Sequence, residues 1–249
     1  MKFFLDICGT KDSLIAAGAA AKAGELIGVS VNSMRYDVDI ALEKVREYLE
    51  EKHIECPVFV GAVKPVCGEE FVISGCRKQI RPELQEIRDL IMSQDEKVVY
   101  IGTSAYTDAA LLLSLYPETG DKISEFIFSS GAIRYGDVGH AESSVLSDVD
   151  AANIFYTMNR HYVLIPYDVA DEMNLVSWAI HTVLYAADPE LYEARESTVE
   201  IDLNGGQTYG CTICDIRTEL WQDIKRTGKV VIGAKDIKAV GRASAKLMA

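Results

Sequence analysis

The residues with the most chemistry to offer sit together near the start of the chain. In Leu5-Asp6-Ile7-Cys8-Gly9-Thr10-Lys11-Asp12-Ser13, two carboxylates, a thiol, an ammonium group and two hydroxyls share one short stretch between a strand-like and a helix-like run. A carboxylate here has two readings. It accepts paired hydrogen bonds from ligand hydroxyls, or it serves the backbone: Asp12 as the N-cap of the apolar stretch that follows, Asp6 by bonding loop N–H groups. Thr107 is expected to cap a later helix in the same way. Cys8 precedes a helix, which favours a thiolate, but no histidine is near in sequence to activate it, so it reads as a small hydrophobe. His140, between Gly136 and Ala141, is the histidine expected at a pocket. His53 reads as surface, His161 as part of a turn and His181 as core. Cys211 and Cys214 form a lone CxxC without a second pair. Strand-like alternation around them puts the sulfurs on opposite faces, so neither zinc nor redox use is expected.

The positioning elements follow from apolar patterning. Short β-rich runs at 3–5, 26–31, 58–60, 98–101, 126–128 and 162–165 alternate with helical stretches at 12–22, 38–51, 82–93, 107–116, 148–158 and 175–186. That alternation predicts an α/β fold, a mostly parallel sheet flanked by helices with a Rossmann-like core. After residue 196 the pattern changes. Two alternating runs flank Asn204-Gly205-Gly206-Gln207, a hairpin signal, and a strand at 229–232 follows Thr227-Gly228, giving a small C-terminal antiparallel hairpin. With no repeat and no Pro- or Ser-rich linker, residues 1–249 read as one domain. Open α/β sheets bind ligands beyond the carboxyl ends of their strands, so the loops at 6–12, 32–37, 102–107, 129–148 and 166–174 are where a pocket is expected.

Composition narrows the function classes. The chain has 249 residues, 49% hydrophobic and 25% charged, with a formal net charge of −13. An acidic surface argues against a nucleic-acid partner. No apolar run is long enough to span a bilayer and no signal peptide is evident, so no membrane partner is expected. Scattered cysteines suit reduced thiols and a cytoplasmic location.

The first loop resembles the DxDPGxDD signature of the inosine/uridine-preferring nucleoside hydrolases. Further segments resemble that family in the same order: Leu26-Ile27-Gly28-Val29-Ser30-Val31; Pro57-Val58-Phe59-Val60-Gly61; Val99-Tyr100-Ile101-Gly102 with Thr107-Asp108-Ala109-Ala110; 127–132; Ala141-Glu142-Ser143-Ser144 with Asp148-Val149-Asp150-Ala151-Ala152; and the closing hairpin. The resemblance covers most of a shortened, divergent chain. It implies N-ribosyl hydrolysis through an oxocarbenium-like cation, a ribosyl or nucleoside small-molecule ligand, and a homodimer or homotetramer. It also implies ligand-binding roles for Asp6, Asp12, Thr107, Glu142 and Ser144, with Glu142 near the sugar's 5′ hydroxyl.

The family's Ca²⁺ needs several hard oxygen ligands. The matching metal positions here are Cys8, Ser13 and Ala179, so the calcium site reads as degenerate and no cofactor is expected. Other departures are Arg35 and Ser144 where the family has Asn, a different segment at 71–82 in place of the HGxxGL loop, and only residues 168–174 where a further helical segment precedes the late helix. The alternative to hydrolysis is a non-catalytic protein that binds a ribosyl, nucleoside or anionic ligand. Lys11 and Arg35, with Arg134, lie on loops expected to converge, which suggests cations in place of the lost calcium charge and an anionic ligand.

Overall fold

The computed structural model describes residues 1–67, 80–173, 177–216 and 228–249. In chain order the strands are β1 (Lys2–Ile7), β2 (Glu25–Val31), β3 (Val58–Val60), β4 (Val98–Gly102), β5 (Ile123–Ser129), β6 (Tyr162–Ile165), β7 (Tyr192–Ile201), β8 (Thr212–Asp215) and β9 (Gly228–Ala234). The helices are α1 (Lys11–Ala23), α2 (Val38–Glu51), α3 (Leu84–Met92), α4 (Thr107–Leu115), α5 (Thr119–Lys122), α6 (Ser143–Leu146), α7 (Val149–Thr157), α8 (Tyr167–Glu172), α9 (Ile180–Ala187) and α10 (Ile237–Met248).

The strands form one sheet in the order β3-β2-β1-β4-β5-β6-β9-β7-β8. Pairings from β3 through β6 to β9 are parallel, whereas β9–β7 and β7–β8 are antiparallel. The expected hairpin therefore exists, and it extends the main sheet through β9 instead of standing apart from it. β1 shows why these runs are strands: Phe3, Phe4, Leu5 and Ile7 are all buried, as befits a parallel strand covered on both faces.

Alternate side chains feed two cores. Phe3, Leu5 and Ile7 of β1 join Val29 and Val31 of β2 under apolar residues of α1, α2, α9 and α10. Phe4, Tyr100, Phe126 and Phe128 meet α3, α4 and α7 on the other face. Their rings are tightly set: Tyr106 stacks on Phe128 at 4.4 Å between centroids, and Phe155 meets Phe128 edge-on at 5.0 Å.

Several local expectations need correcting. Thr10, not Asp12, caps α1, its hydroxyl accepting from Ser13 N–H. The smaller hydroxyl one turn back reaches the free N–H, while Asp12 lies inside the helix and turns elsewhere. Thr107 is the first residue of α4 and not its cap; its side chain goes to Asp148. The late helix begins at Ile180, so residues 177–179 of the expected helix are not helical, and its expected start at 175–176 lies outside the described residues. The short link before it is not bare, because α8 fills much of it. Cys211 precedes β8, so strand alternation does not govern the CxxC pair; Cys214 packs against the core and both thiols are free. Thr227, Cys76 and most of the 71–82 segment lie outside the described residues.

Candidate functional site

The sheet order reverses direction between β1 and β4, and at such a switch point the loops leaving adjacent strands diverge and open a crevice. Asp6, next to last in β1, pairs with Gly102 at the end of β4. Gly9 turns the chain in the left-handed region (φ +71), against the backbone of Ala41 in α2, where a Cβ would be both strained and crowded. These features bring the first loop over the strand ends.

Asp6 is 0% exposed. Its Oδ1 accepts from Asn32 Nδ2 (2.9 Å) and Ser104 Oγ (2.7 Å), and its Oδ2 from the Tyr100 hydroxyl (3.0 Å). The partners are side chains from three neighbouring segments, not the loop N–H groups expected of it. A second buried carboxylate, Asp108, accepts from Ser30 Oγ and from Ala62 N–H (2.6 Å). Burial, then the nearby Asp108, pushes the Asp6 carboxyl well above the carboxylate range, and burial raises Asp108 too.

Asp12 reaches out of its own helix. Its Oδ2 accepts from the N–H of Ala179 (3.0 Å), ahead of α9, and burial raises its pKa against hydrogen bonds from Ser177, Ala179 and Trp178. Ser13 Oγ donates to the Thr10 carbonyl (2.9 Å). Cys8, 2% exposed, packs with Met34, Ala62 and Ala105 in a small apolar cluster, and burial lifts its thiol to about 11. Asp12, Ser13 and Cys8 are thus all committed to internal contacts.

Across the crevice, Glu142 precedes α6 and is 0% exposed. Its Oε1 accepts from Gly131 N–H (2.8 Å), Ser130 Oγ (3.4 Å) and the Thr212 hydroxyl of β8, while Oε2 has no partner among the described residues. Burial raises its pKa to about 7, opposed first by the Thr212 hydrogen bond. Ser144 is buried and donates to Ser130 Oγ (3.2 Å). Thr107 donates to Asp148 Oδ2 (2.7 Å). His140 is exposed in its loop, and His181 is fully buried with Nδ1 against the Tyr192 hydroxyl (2.9 Å) and a pKa lowered by burial to about 4.

The three cations separate. Arg134 is occupied by Asp168 (3.1 Å) and Glu172. Lys11 is exposed and has no protein partner among the described residues. Arg35, after β2, donates from Nη2 to Oγ (2.8 Å) of Ser143, the first residue of α6. The bond joins the segment after β2 to the segment after β5, strands that lie on either side of β1 and β4 in the sheet.

Sequence reasoning missed Asn32, Tyr100, Ser104, Asp108, Asp137 and Thr212. A usable signal existed for two of them: Asp108 is the one acid in a helix mostly of Ala and Leu, in its first turn, and Asn32 directly follows an apolar strand. One partner of Glu142, Thr212, comes from the distal hairpin, which no local pattern links to it.

Fold and strand-end geometry together define an open α/β protein with a switch point between β1 and β4. Residues 4–182 match the family described as inosine-uridine preferring nucleoside hydrolase, and the chain belongs to that family. Among similar proteins, the pyrimidine-specific ribonucleoside hydrolase RihB of Escherichia coli (strain SE11) is 21% identical over 272 residues, covering 86% of this chain and 87% of that protein. Solved structures share the fold. The purine-preferring ribonucleoside hydrolase from Gardnerella vaginalis superposes with a TM-score of 0.80 at 18% identity, covering 100% of this chain and 98% of that one. An inosine-guanosine nucleoside hydrolase gives 0.82 at 17%, covering 99% and 98%.

Proposed function

We propose that this chain is an N-ribosyl hydrolase-type protein that takes a nucleoside or related ribosyl compound at the carboxyl ends of β1, β2, β4 and β5, with a degenerate calcium site. The observation that carries the reading is Glu142: a buried carboxylate with one oxygen saturated by protein donors and the other without any among the described residues. An unpaired buried acceptor suits a sugar hydroxyl, whose hydrogen bond offsets the cost of its desolvation. Family membership over residues 4–182 supports N-ribosyl bond cleavage as the reaction class.

Calcium, which the family implies, does not suit the donors present. A hard ion needs six to eight oxygens, whereas Cys8 lies in an apolar cluster and Ala179 has no side-chain donor. Among the described residues, no three His, Cys, Asp or Glu side chains are grouped to hold a metal. No step is therefore assigned to a metal. A second reading, ligand binding without turnover, is favoured by one observation: the Asp12 carboxylate is spent on the Ala179 N–H. Incubation with a nucleoside panel, assayed for free base and for binding by calorimetry, separates the readings. Base release supports hydrolysis, binding without release supports the second, and no binding at all removes both.

A further inference from the structure

Arg35 differs from the chain's structural arginines. Arg88 is matched by Glu118 (3.0 Å) and Asp89 (2.7 Å), Arg134 by Asp168 and Glu172, and Arg160 by Asp121 (2.9 Å). Arg35, with its side chain only 33% exposed, has no direct hydrogen bond to a carboxylate: Asp137 stands 3.7 Å away. Ser143 keeps the two apart, since its N–H (2.7 Å) and hydroxyl (2.6 Å) both donate to Asp137 while the same hydroxyl accepts from Arg35 Nη2. Nε and Nη1 of the fork have no protein partner among the described residues. A planar guanidinium so presented matches two oxygens of a tetrahedral anion, a geometry Lys does not reproduce.

The surroundings favour an anion. Arg35 is close enough to Cys8 for its charge to act on that thiol. The carboxylate beside the fork, Asp137, faces Nη2 and is hydrogen-bonded by Ser143 N–H and hydroxyl, away from Nε and Nη1, while burial pushes the deeper carboxyls of Asp6 and Asp108 above the usual carboxylate range. The exposed ammonium of Lys11 opens the adjacent helix α1. Resting on the ribosyl reading above, we propose that the ligand is a phosphorylated ribosyl compound, its phosphate bound by the free edge of the Arg35 fork beside Ser143.

Calorimetric titration of the full chain with ribose 5-phosphate, ribose and inorganic phosphate tests this, using wild type, R35Q and R35K. The expected result is that ribose 5-phosphate binds wild type at least about tenfold more tightly than either ribose or phosphate alone. R35Q should lose about ten- to a hundredfold in affinity for it, in the range of a charge-assisted bidentate contact. R35K, which keeps the charge and loses the fork, should fall between them and guards against a folding defect in R35Q. Equal affinity for ribose and ribose 5-phosphate, unmoved by R35Q, overturns the anion proposal while leaving ribosyl binding standing. Phosphate binding as tightly as ribose 5-phosphate, with ribose inert, overturns the ribosyl reading and this proposal with it. No binding by any of the three removes both.

Discussion

The carboxylate of Asp12 accepts a hydrogen bond from the backbone N–H of Ala179, joining residues 167 positions apart at 3.0 Å. The bond fastens the start of α1 to the turn ahead of α9, whose own cap residue supplies no side chain for the purpose. Replacing Asp12 with Ala strands those N–H groups in a mostly buried place. The expected cost is about 1–3 kcal/mol of unfolding free energy, measurable by urea denaturation. D12N, which keeps an acceptor oxygen, should lose less.

Calcium should leave the protein unmoved. A ligand stabilises the folded state in proportion to the logarithm of its concentration over its Kd, and the donors around Cys8, Ser13 and Ala179 offer little to a hard cation. Melting curves with millimolar CaCl₂ and with EDTA are expected to coincide. A clear upward shift with calcium would contradict the degenerate-site reading.

Glu142 should make stability depend on pH. Its folded-state pKa of about 7 lies above the ordinary 4.5. Its contribution is therefore complete below the lower value and is lost as pH rises through the upper one. Between pH 5 and 8 the wild type should lose on the order of 3 kcal/mol relative to E142Q, followed by denaturant titrations at each pH. Parallel pH profiles for the two proteins would show that the carboxyl is not held neutral.

Cys8 should be inert. With burial lifting its thiol to about 11 and only 2% of the residue exposed, little thiolate forms near neutrality. Exposed Cys67 is open to reagent, although the neighbouring Asp150 carboxylate raises its thiol pKa. Mass spectrometry after brief iodoacetamide treatment at pH 8 is expected to show Cys67 modified and Cys8 intact. Rapid labelling of Cys8 would restore it as a candidate nucleophile.

Periodicity made most of the framework readable. Val58–Val60, Tyr162–Ile165 and Val38–Glu51 coincide with the expected elements to the residue, because β-branched runs and one-sided apolar spacing report burial directly. The helix Ile237–Met248 was not anticipated, although Val240, Ala243 and Leu247 recur at helical spacing and pack on the core. The site was legible as a set of loops, and much less so as a set of bonds. Asp6 meets Asn32, Ser104 and Tyr100, and Glu142 meets Thr212, only once distant segments are stacked side by side. Those pairings are products of tertiary packing and leave no local trace. Cap positions failed for a related reason: Asp12 and Thr107 have the right chemistry for a helix end, but long-range partners took them first.

The position of β9 bears on how the chain comes to be folded during synthesis. Residues 228–234 lie between β6 and β7, both of which leave the ribosome earlier. Until β9 emerges, β6 has an open edge, and the β7–β8 hairpin has no sheet to extend. Unpaired edges of this kind invite pairing with other chains. Thr212, which reaches Glu142 from that hairpin, can take its place only after the gap is closed. Assembly of the crevice is thus a late event, governed by a strand that contributes no side chain to it.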